Sequence, residues 1–183
     1  MQKNDIIEAL LLGEDDDWEF KDCRTGVGKS AFETVSAFAN TNGGVVVFGI
    51  ESNKRDDEHK PVGISDPKRF IGDLWNALHN RKTISSACCG TDDIWNQHIS
   101  DVDIVCMRVP PADRKHRPVY VGDNPLSGSF KRRRSGDYRC DADEVRQMMR
   151  DATSEPQDGV VFNGTKFEDI DEATLKGYRN VFA

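Results

Sequence analysis

The 183-residue sequence lacks any segment that would carry it into or across a membrane. No stretch approaches the ~18 consecutive apolar residues that a transmembrane helix needs. Residues 1–5 have neither the basic region nor the apolar region of a secretory signal peptide. We therefore expect a cytoplasmic protein that has no membrane partner.

Cysteine and histidine are too few and too irregularly spaced for a stapled or zinc-bound fold. The five cysteines are odd in number and form no C-x-x-C pair, and the four histidines are scattered. This pattern predicts reduced thiols, as in cytosolic proteins, and argues against a disulfide framework and against a zinc site.

A phosphate-binding loop is suggested by Gly28-Lys29-Ser30, but its other requirements are missing. The full pattern, G-x-x-x-x-G-K-[ST], needs a glycine where this sequence has Cys23. The loop must also follow a buried apolar strand, whereas residues 15–22 are strongly acidic. We do not expect an ATPase, and we interpret Ser30-Ala31-Phe32-Glu33 as a capping box that opens a helix.

The formal net charge of −7 conceals a basic central segment. Between Arg108 and Arg139 nine basic residues stand against three acidic ones, so this segment carries a net charge of +6. A polyanion responds to the charge within a Debye length, about 8–10 Å, and not to the total of the chain. Nucleic acid, either DNA or RNA, therefore remains an expected partner.

Hydrophobic periodicity predicts helices and strands in alternation along the chain. Helices are expected at 5–12, at 30–41, after Asp66 with Pro67 in the first turn, after a capping box formed by Asp141 and Glu144, and at 165–183. Strands are expected at 18–21, 45–50, 62–64, 102–109, 118–121 and 129–134. In the first helix Ile6, Leu10, Ile7 and Leu11 are expected to face inward. The charged segment 51–60 is expected to be a loop. Residues 83–100 fit neither the periodicity of a helix nor that of a strand.

This order of elements predicts an α/β (α+β) fold with a mixed β-sheet flanked by helices. Residues 1–153 are expected to form a single domain. Residues 154–183 are expected to form a linker and a C-terminal helix that lead to a further domain of the natural chain.

Four short strings of the sequence are characteristic of one known family. They are E-F-K at 19–21, A-F-A-N-T-N-G-G at 37–44, V-F-G-I-E at 47–51 and V-G-I at 62–64. Together they resemble the AlbA-type domain of the Schlafen family over roughly residues 8–150. The resemblance implies an AlbA/Schlafen-like fold that binds nucleic acid. It also implies a place at the N-terminus of a bacterial transcriptional regulator or helicase-related protein.

Some Schlafen members are metal-dependent endoribonucleases, and the resemblance implies a candidate catalytic set here. Those members carry an E-x-x-x-x-E-x-K array and an acid at the end of the strand that follows the Gly-Gly turn. This sequence has Glu14, Glu19 and Lys21 at that spacing, and Glu51 stands where aspartate is expected. The three glutamates would hold Mg²⁺ or Mn²⁺, which are cations that carboxylate oxygens suit.

The spacing of these residues permits two interpretations. Glu19 and Lys21 lie two positions apart on a predicted strand, so their side chains point to the same face and can join a metal site. Alternatively, Glu14 belongs to a solvated acidic turn while Glu19 and Lys21 form a structural ion pair.

The basic residues expected to contact nucleic acid form two groups. They are Arg114, Lys115 and Arg117, and the run Lys131, Arg132, Arg133 and Arg134. Only alternate members of the run can share a face of an extended strand. The alternative is a polar edge strand whose charge prevents aggregation. A protein-interaction or oligomerisation domain, including a homo-oligomer, is a third class that the sequence permits.

Overall fold

The computed structural model describes residues 3–24, 26–53 and 58–152, together with Asp171. Asp171 apart, these residues belong to a compact unit that spans Met1–Ala152, and Thr153–Ala183 make up a second unit. The predicted linker, the predicted C-terminal helix and the predicted domain boundary fall outside the described residues, Asp171 excepted.

Five helices and eight strands occur along the described residues. The helices are α1 (Lys3–Leu12), α2 (Lys29–Ala39), α3 (Pro67–Leu78), α4 (Pro125–Gly128) and α5 (Ala142–Asp151). The strands are β1 (Trp18–Lys21), β2 (Gly44–Phe48), β3 (Ile50–Asn53), β4 (Glu58–Pro61), β5 (Ile94–Ile99), β6 (Val102–Val109), β7 (Phe130–Arg133) and β8 (Gly136–Arg139). No helix in this part of the chain is long and apolar enough to cross a bilayer.

A mixed four-stranded sheet with the order β1-β2-β6-β5 forms the centre of the fold. β1 runs parallel to β2, while β6 runs antiparallel to both of its neighbours, β2 and β5. The mixed sheet with flanking helices confirms the predicted α+β class. The ambiguous segment 83–100 supplies β5, which is the edge strand beyond β6.

Two separate hairpins flank the sheet, and in each of them at least one strand was not predicted from the sequence. β3 pairs with β4, so the prediction of a loop at 51–60 and a strand at 62–64 was wrong. β7 pairs with β8, a strand that was not among those expected. The predicted strand at 118–121 is reduced to two isolated bridges, made by Tyr120 and Val121.

Helices and hairpins cover both faces of the sheet. On one face Phe38 of α2 packs in a cluster with Val46 and Met107, all fully buried. On the other face Ile6 of α1 packs in a cluster with Val47, also fully buried. Burial on both faces explains why β2 is a continuous apolar run and not an alternating one.

The first helix has a narrower buried face than predicted. Ile6 and Ala9 are buried and Leu10 is half-buried, but Ile7 and Leu11 are exposed. The expected inward orientation of Ile7 and Leu11 was therefore wrong.

Two of three helix N-termini, those of α3 and α5, are capped by the side chains that the sequence indicates. Asp141 and Glu144 form a reciprocal capping box on α5, and the Asp66 side chain accepts a hydrogen bond from Arg69 N at the start of α3. At α2 the N-cap is Gly28, and no side chain caps it. The predicted capping box at Ser30 was wrong, because Ser30 already lies within the first turn of the helix.

The turn between α2 and β2 is closed by two glycines. Gly43 has a φ of +84°, and a Cβ on it would lie 2.7 Å from Val109 O. A Cβ on Gly44 would lie 2.5 Å from Cε1 of Phe38. The string A-F-A-N-T-N-G-G therefore encodes a tight passage from helix to strand over a buried phenylalanine.

We expect Gly44→Ala to lower the free energy of unfolding by about 1–3 kcal/mol, because the added methyl group overpacks the Phe38 ring. Gly72→Ala is the matched control, since a Cβ there meets no atom within 4 Å. In mid-helix it should stabilise the protein by about 0.5–1 kcal/mol. Urea denaturation measures both changes, and equal effects of the two substitutions would contradict the close contact.

Candidate functional site

Arg132 lies in the protein interior, at the junction of the β7–β8 hairpin and the central sheet. Its side chain is only 2% exposed. The guanidinium donates five hydrogen bonds, two of them to Asp15 O and one to Trp18 O. It also lies over the Phe38 ring, 5.0 Å from the ring centre. Every N–H of the guanidinium is thus satisfied by protein atoms.

Two carboxylates neutralise this buried cation. Arg132 Nη1 lies 2.7 Å from Glu19 Oε2 and 2.9 Å from Asp137 Oδ1. Burial acts to lower the pKa of Arg132, but Glu19 and Asp137 outweigh it and raise the pKa. The other oxygen of Glu19 pairs with Lys21 Nζ. Two cations and two anions therefore form a balanced cluster.

The structure brings three of the four predicted catalytic residues together and places the fourth elsewhere. Glu14 accepts a hydrogen bond from Phe20 N at 3.1 Å. Burial raises the pKa of Glu14, and the charge of Glu19 raises it further. Glu51 is exposed and instead accepts a hydrogen bond from Arg24 at 3.2 Å.

As placed, these residues do not fit a divalent cation. Both oxygens of Glu19 already pair with positive side chains, Lys21 and Arg132. Glu51 pairs with Arg24, which also binds Asp22 and lowers the pKa of that carboxyl. Within the described residues, no three His, Cys, Asp or Glu side chains are grouped to hold a metal. The geometry agrees with the second interpretation for Glu19 and Lys21, which form an ion pair, but Glu14 is half-buried and not solvated as that interpretation expected.

A groove of about 460 Å³ collects cations from separate parts of the chain. It lies beside the turn after α2, the 3-10 turn Arg114–His116 and α5. Arg114, Arg117 and Lys131 line it. A cleft of about 410 Å³ shares Arg117 and Lys131 with it and adds Arg133. We call these two connected depressions the basic groove.

Glu144 of α5 is the acidic residue common to both parts of the basic groove. Its Oε1 lies 3.3 Å from Lys131 Nζ and 2.9 Å from Arg133 Nη2. Burial acts to raise the pKa of Glu144, but the Asp141 N–H and Lys131 outweigh it and lower the pKa. Glu144 is therefore ionised at neutral pH, and it offsets part of the positive charge of the groove.

The other predicted basic residues differ in how accessible they are. Arg114, Lys115 and Arg134 are exposed, and none of the three forms an ion pair with a carboxylate in the described part of the chain. Arg134 occupies the turn between β7 and β8, with a φ of 54°. Arg117 is half-buried and donates hydrogen bonds to backbone carbonyls, including Thr41 O at 3.1 Å.

Strand alternation divides the basic run as expected. Lys131 and Arg133 point toward Glu144, whereas Arg132 points inward. A polyanion reaches Arg132 only if the buried ion cluster is broken. Of the run, Lys131, Arg133 and Arg134 are therefore the members that remain available for binding.

Asn40 and Ser36 support the floor of the basic groove, although neither was among the predicted site residues. The Asn40 side chain donates to Val119 O and Phe130 O at 2.7 and 3.0 Å and accepts from Val119 N at 2.8 Å. Ser36 Oγ donates to Val119 O and accepts from Phe130 N. These bonds connect α2 to two distant segments. The signal was present, because Asn40 lies inside the A-F-A-N-T-N-G-G string.

The mixed sheet, the attached hairpin and the groove define an α+β domain with a basic cleft. The family model described as Schlafen, AlbA_2 matches residues 14–141. The chain therefore belongs to this family, which confirms the resemblance drawn from the sequence.

Several solved structures are similar to this chain, among them the following two. The first is the N-terminal domain of an ATP-dependent DNA helicase RecG-related protein from Nitrosomonas europaea, with 29% identity, a TM-score of 0.58 and coverage of 76% of this chain and 94% of that chain. The second is the DIP2311 protein from Corynebacterium diphtheriae, with 18% identity and a TM-score of 0.51. It supports the fold alone, and the match spans 95% of this chain but only 32% of that protein. No curated protein matches.

We expect Arg132→Ala to lower the free energy of unfolding by about 3–5 kcal/mol, because it leaves Glu19 and Asp137 buried without their cation. Arg133→Ala removes the same charge one position away, from a side chain that is 62% exposed. It should cost less than about 1 kcal/mol. Urea denaturation of both variants tests this, and similar losses would show that the buried cluster contributes no more than a surface pair.

Proposed function

We propose that this domain binds nucleic acid through the basic groove. The contacting side chains are Arg114, Lys115, Arg117, Lys131, Arg133 and Arg134, and Arg132 holds the hairpin that carries three of them. The observation that supports the proposal is the convergence of cations from the 3-10 turn and from β7 on one concave surface. Such a surface suits the phosphate backbone, which dominates the affinity of nucleic-acid binding.

The charge distribution within the groove makes this function compatible with an acidic protein. Of the exposed cations, Arg114 lines the groove, while Lys115 and Arg134 each follow a lining residue in the sequence. A phosphate responds to these charges at close range, where the net charge of −7 is largely screened by salt. Glu144 limits the positive potential, because its carboxylate lies between Lys131 and Arg133. Binding by this surface should be of moderate strength and should depend steeply on salt concentration.

The wider role that best fits this activity is that of a DNA-targeting or RNA-targeting module within a longer cytoplasmic protein. The family assignment supports a nucleic-acid role, and the relative from Nitrosomonas europaea is described as a RecG-related DNA helicase protein. A transcriptional regulator with a helix-turn-helix region after residue 183 and a helicase-related protein are the two forms that we propose for the whole chain.

We expect Arg114→Ala and Lys131→Ala each to weaken binding to all sequences of an oligonucleotide and to reduce the salt slope by about 1, the loss of one phosphate contact. Fluorescence anisotropy with labelled DNA and RNA over a range of salt concentrations measures both quantities. Lys68→Ala is the control, since it removes the same charge from an exposed position of α3 that does not line the groove.

A substitution of Glu144 should have the opposite effect on the affinity for nucleic acid. Glu144→Gln removes the negative charge, and its amide oxygen can still accept the hydrogen bond from Asp141 N that caps α5. It should tighten binding, whereas Glu58→Gln on β4 should not. Unchanged affinity and salt slope in Arg114→Ala, Lys131→Ala and Glu144→Gln together would refute the groove as the binding surface.

The metal-dependent ribonuclease remains an alternative hypothesis, and it makes a separate prediction. Because Glu19 is committed to Lys21 and Arg132, we expect RNA incubated with the protein and Mn²⁺ to remain intact on a denaturing gel. Cleavage by the wild type that disappears in Glu14→Gln would instead support the nuclease. Glu14 is the suitable position, because its carboxylate is not part of the buried ion cluster and the change keeps its shape.

A further inference from the structure

We propose that Tyr138 is a stacking platform for an unpaired base, so that the nucleic acid bound beside it is single-stranded. This inference rests on the proposed function and deepens it. Tyr138 lies on β8 and is 55% exposed, whereas the other Phe, Trp and Tyr side chains of the described residues are buried or half-buried. No structural role in the core accounts for this ring, since it belongs to none of the three buried clusters of the described residues.

The register of the hairpin places Tyr138 beside the cations of the basic groove. Tyr138 lies directly opposite Lys131, and Gly136 lies opposite Arg133. Because side chains alternate along a strand, these four residues share the outer face, while Arg132 and Asp137 form a buried pair on the inner face. The outer face therefore combines one aromatic ring with two cations, which share the single Glu144 carboxylate.

The ring has a defined position on this face. A Cβ on Gly136 would lie 2.6 Å from Cε2 of Tyr138 and 3.1 Å from its hydroxyl oxygen. The outer end of the ring therefore lies over Gly136, in space that only glycine leaves open. This position keeps the ring along the surface of the hairpin, within reach of a ligand whose phosphates lie at Lys131 and Arg133.

An aromatic ring surrounded by cations is the arrangement by which proteins bind single strands. Bases stack on the ring while the backbone follows the positive charge, and the stacking depends little on sequence. A base within a duplex has neighbours on both of its faces and cannot stack on a side chain without leaving the helix. The platform should therefore favour single strands over duplexes and should tolerate any base.

The test compares the binding of fluorescein-labelled oligothymidylate and oligouridylate of about 16 nucleotides with that of a duplex of equal length. We expect Tyr138→Ala to weaken binding to both single strands by about 5- to 150-fold, which is the loss of one stacked base. Binding to the duplex should change less than about twofold, and the salt slope should stay the same, because no phosphate contact is lost. Tyr138→Phe keeps the ring and should bind as the wild type does.

Met149→Ala is the matched control, since Met149 is 49% exposed but lies on α5 and does not line the basic groove. It should leave the affinity for single strands unchanged. The platform is refuted if the wild type binds single strands and Tyr138→Ala binds them equally well. It is also refuted if Tyr138→Ala loses as much affinity for the duplex as for single strands. Neither outcome contradicts binding by the basic groove. If the wild type binds neither probe, the proposed function fails and the platform fails with it.

Discussion

The burial of one guanidinium group imposes a constraint on the whole domain. Arg132 is removed from water, so its charge must be balanced and every one of its N–H groups must find an acceptor. Glu19 on β1 and Asp137 on β8 supply the charges, and backbone carbonyls near the start of β1 supply the remaining acceptors. The hairpin is thereby held against the edge of the sheet in a single register.

This constraint also determines what the outer surface presents. When Arg132 points inward, the alternation of the strand turns Lys131 and Arg133 outward, and the register of β8 turns Tyr138 outward beside them. Glu19 is used to neutralise Arg132, whereas Glu14 and Glu51 take no part in this cluster. The ion cluster therefore engages one residue of the predicted metal set, and a positively charged aromatic face lies on the other side of the same hairpin.

Local sequence patterns predicted the elements whose formation depends on near neighbours. β1 and β6 occur at the expected residues, α3 begins after Asp66 as expected, and the capping box at Asp141 is present. The hairpin β3–β4 was missed, because its strands are short and charged and lack the alternation that identifies a strand. β8 was missed for the same reason, since Gly136–Arg139 contains no aliphatic residue.

The sequence by itself determined the α+β class, the family, the buried apolar strands and the division of the basic run into two faces, because these follow from periodicity and from short characteristic strings. Only the tertiary structure decided which charges meet. Arg132 and Glu19 are 113 positions apart, and no local pattern records that they are partners. Folding places the Arg132 cation beside Glu19, and such a pairing depends on the position of whole strands.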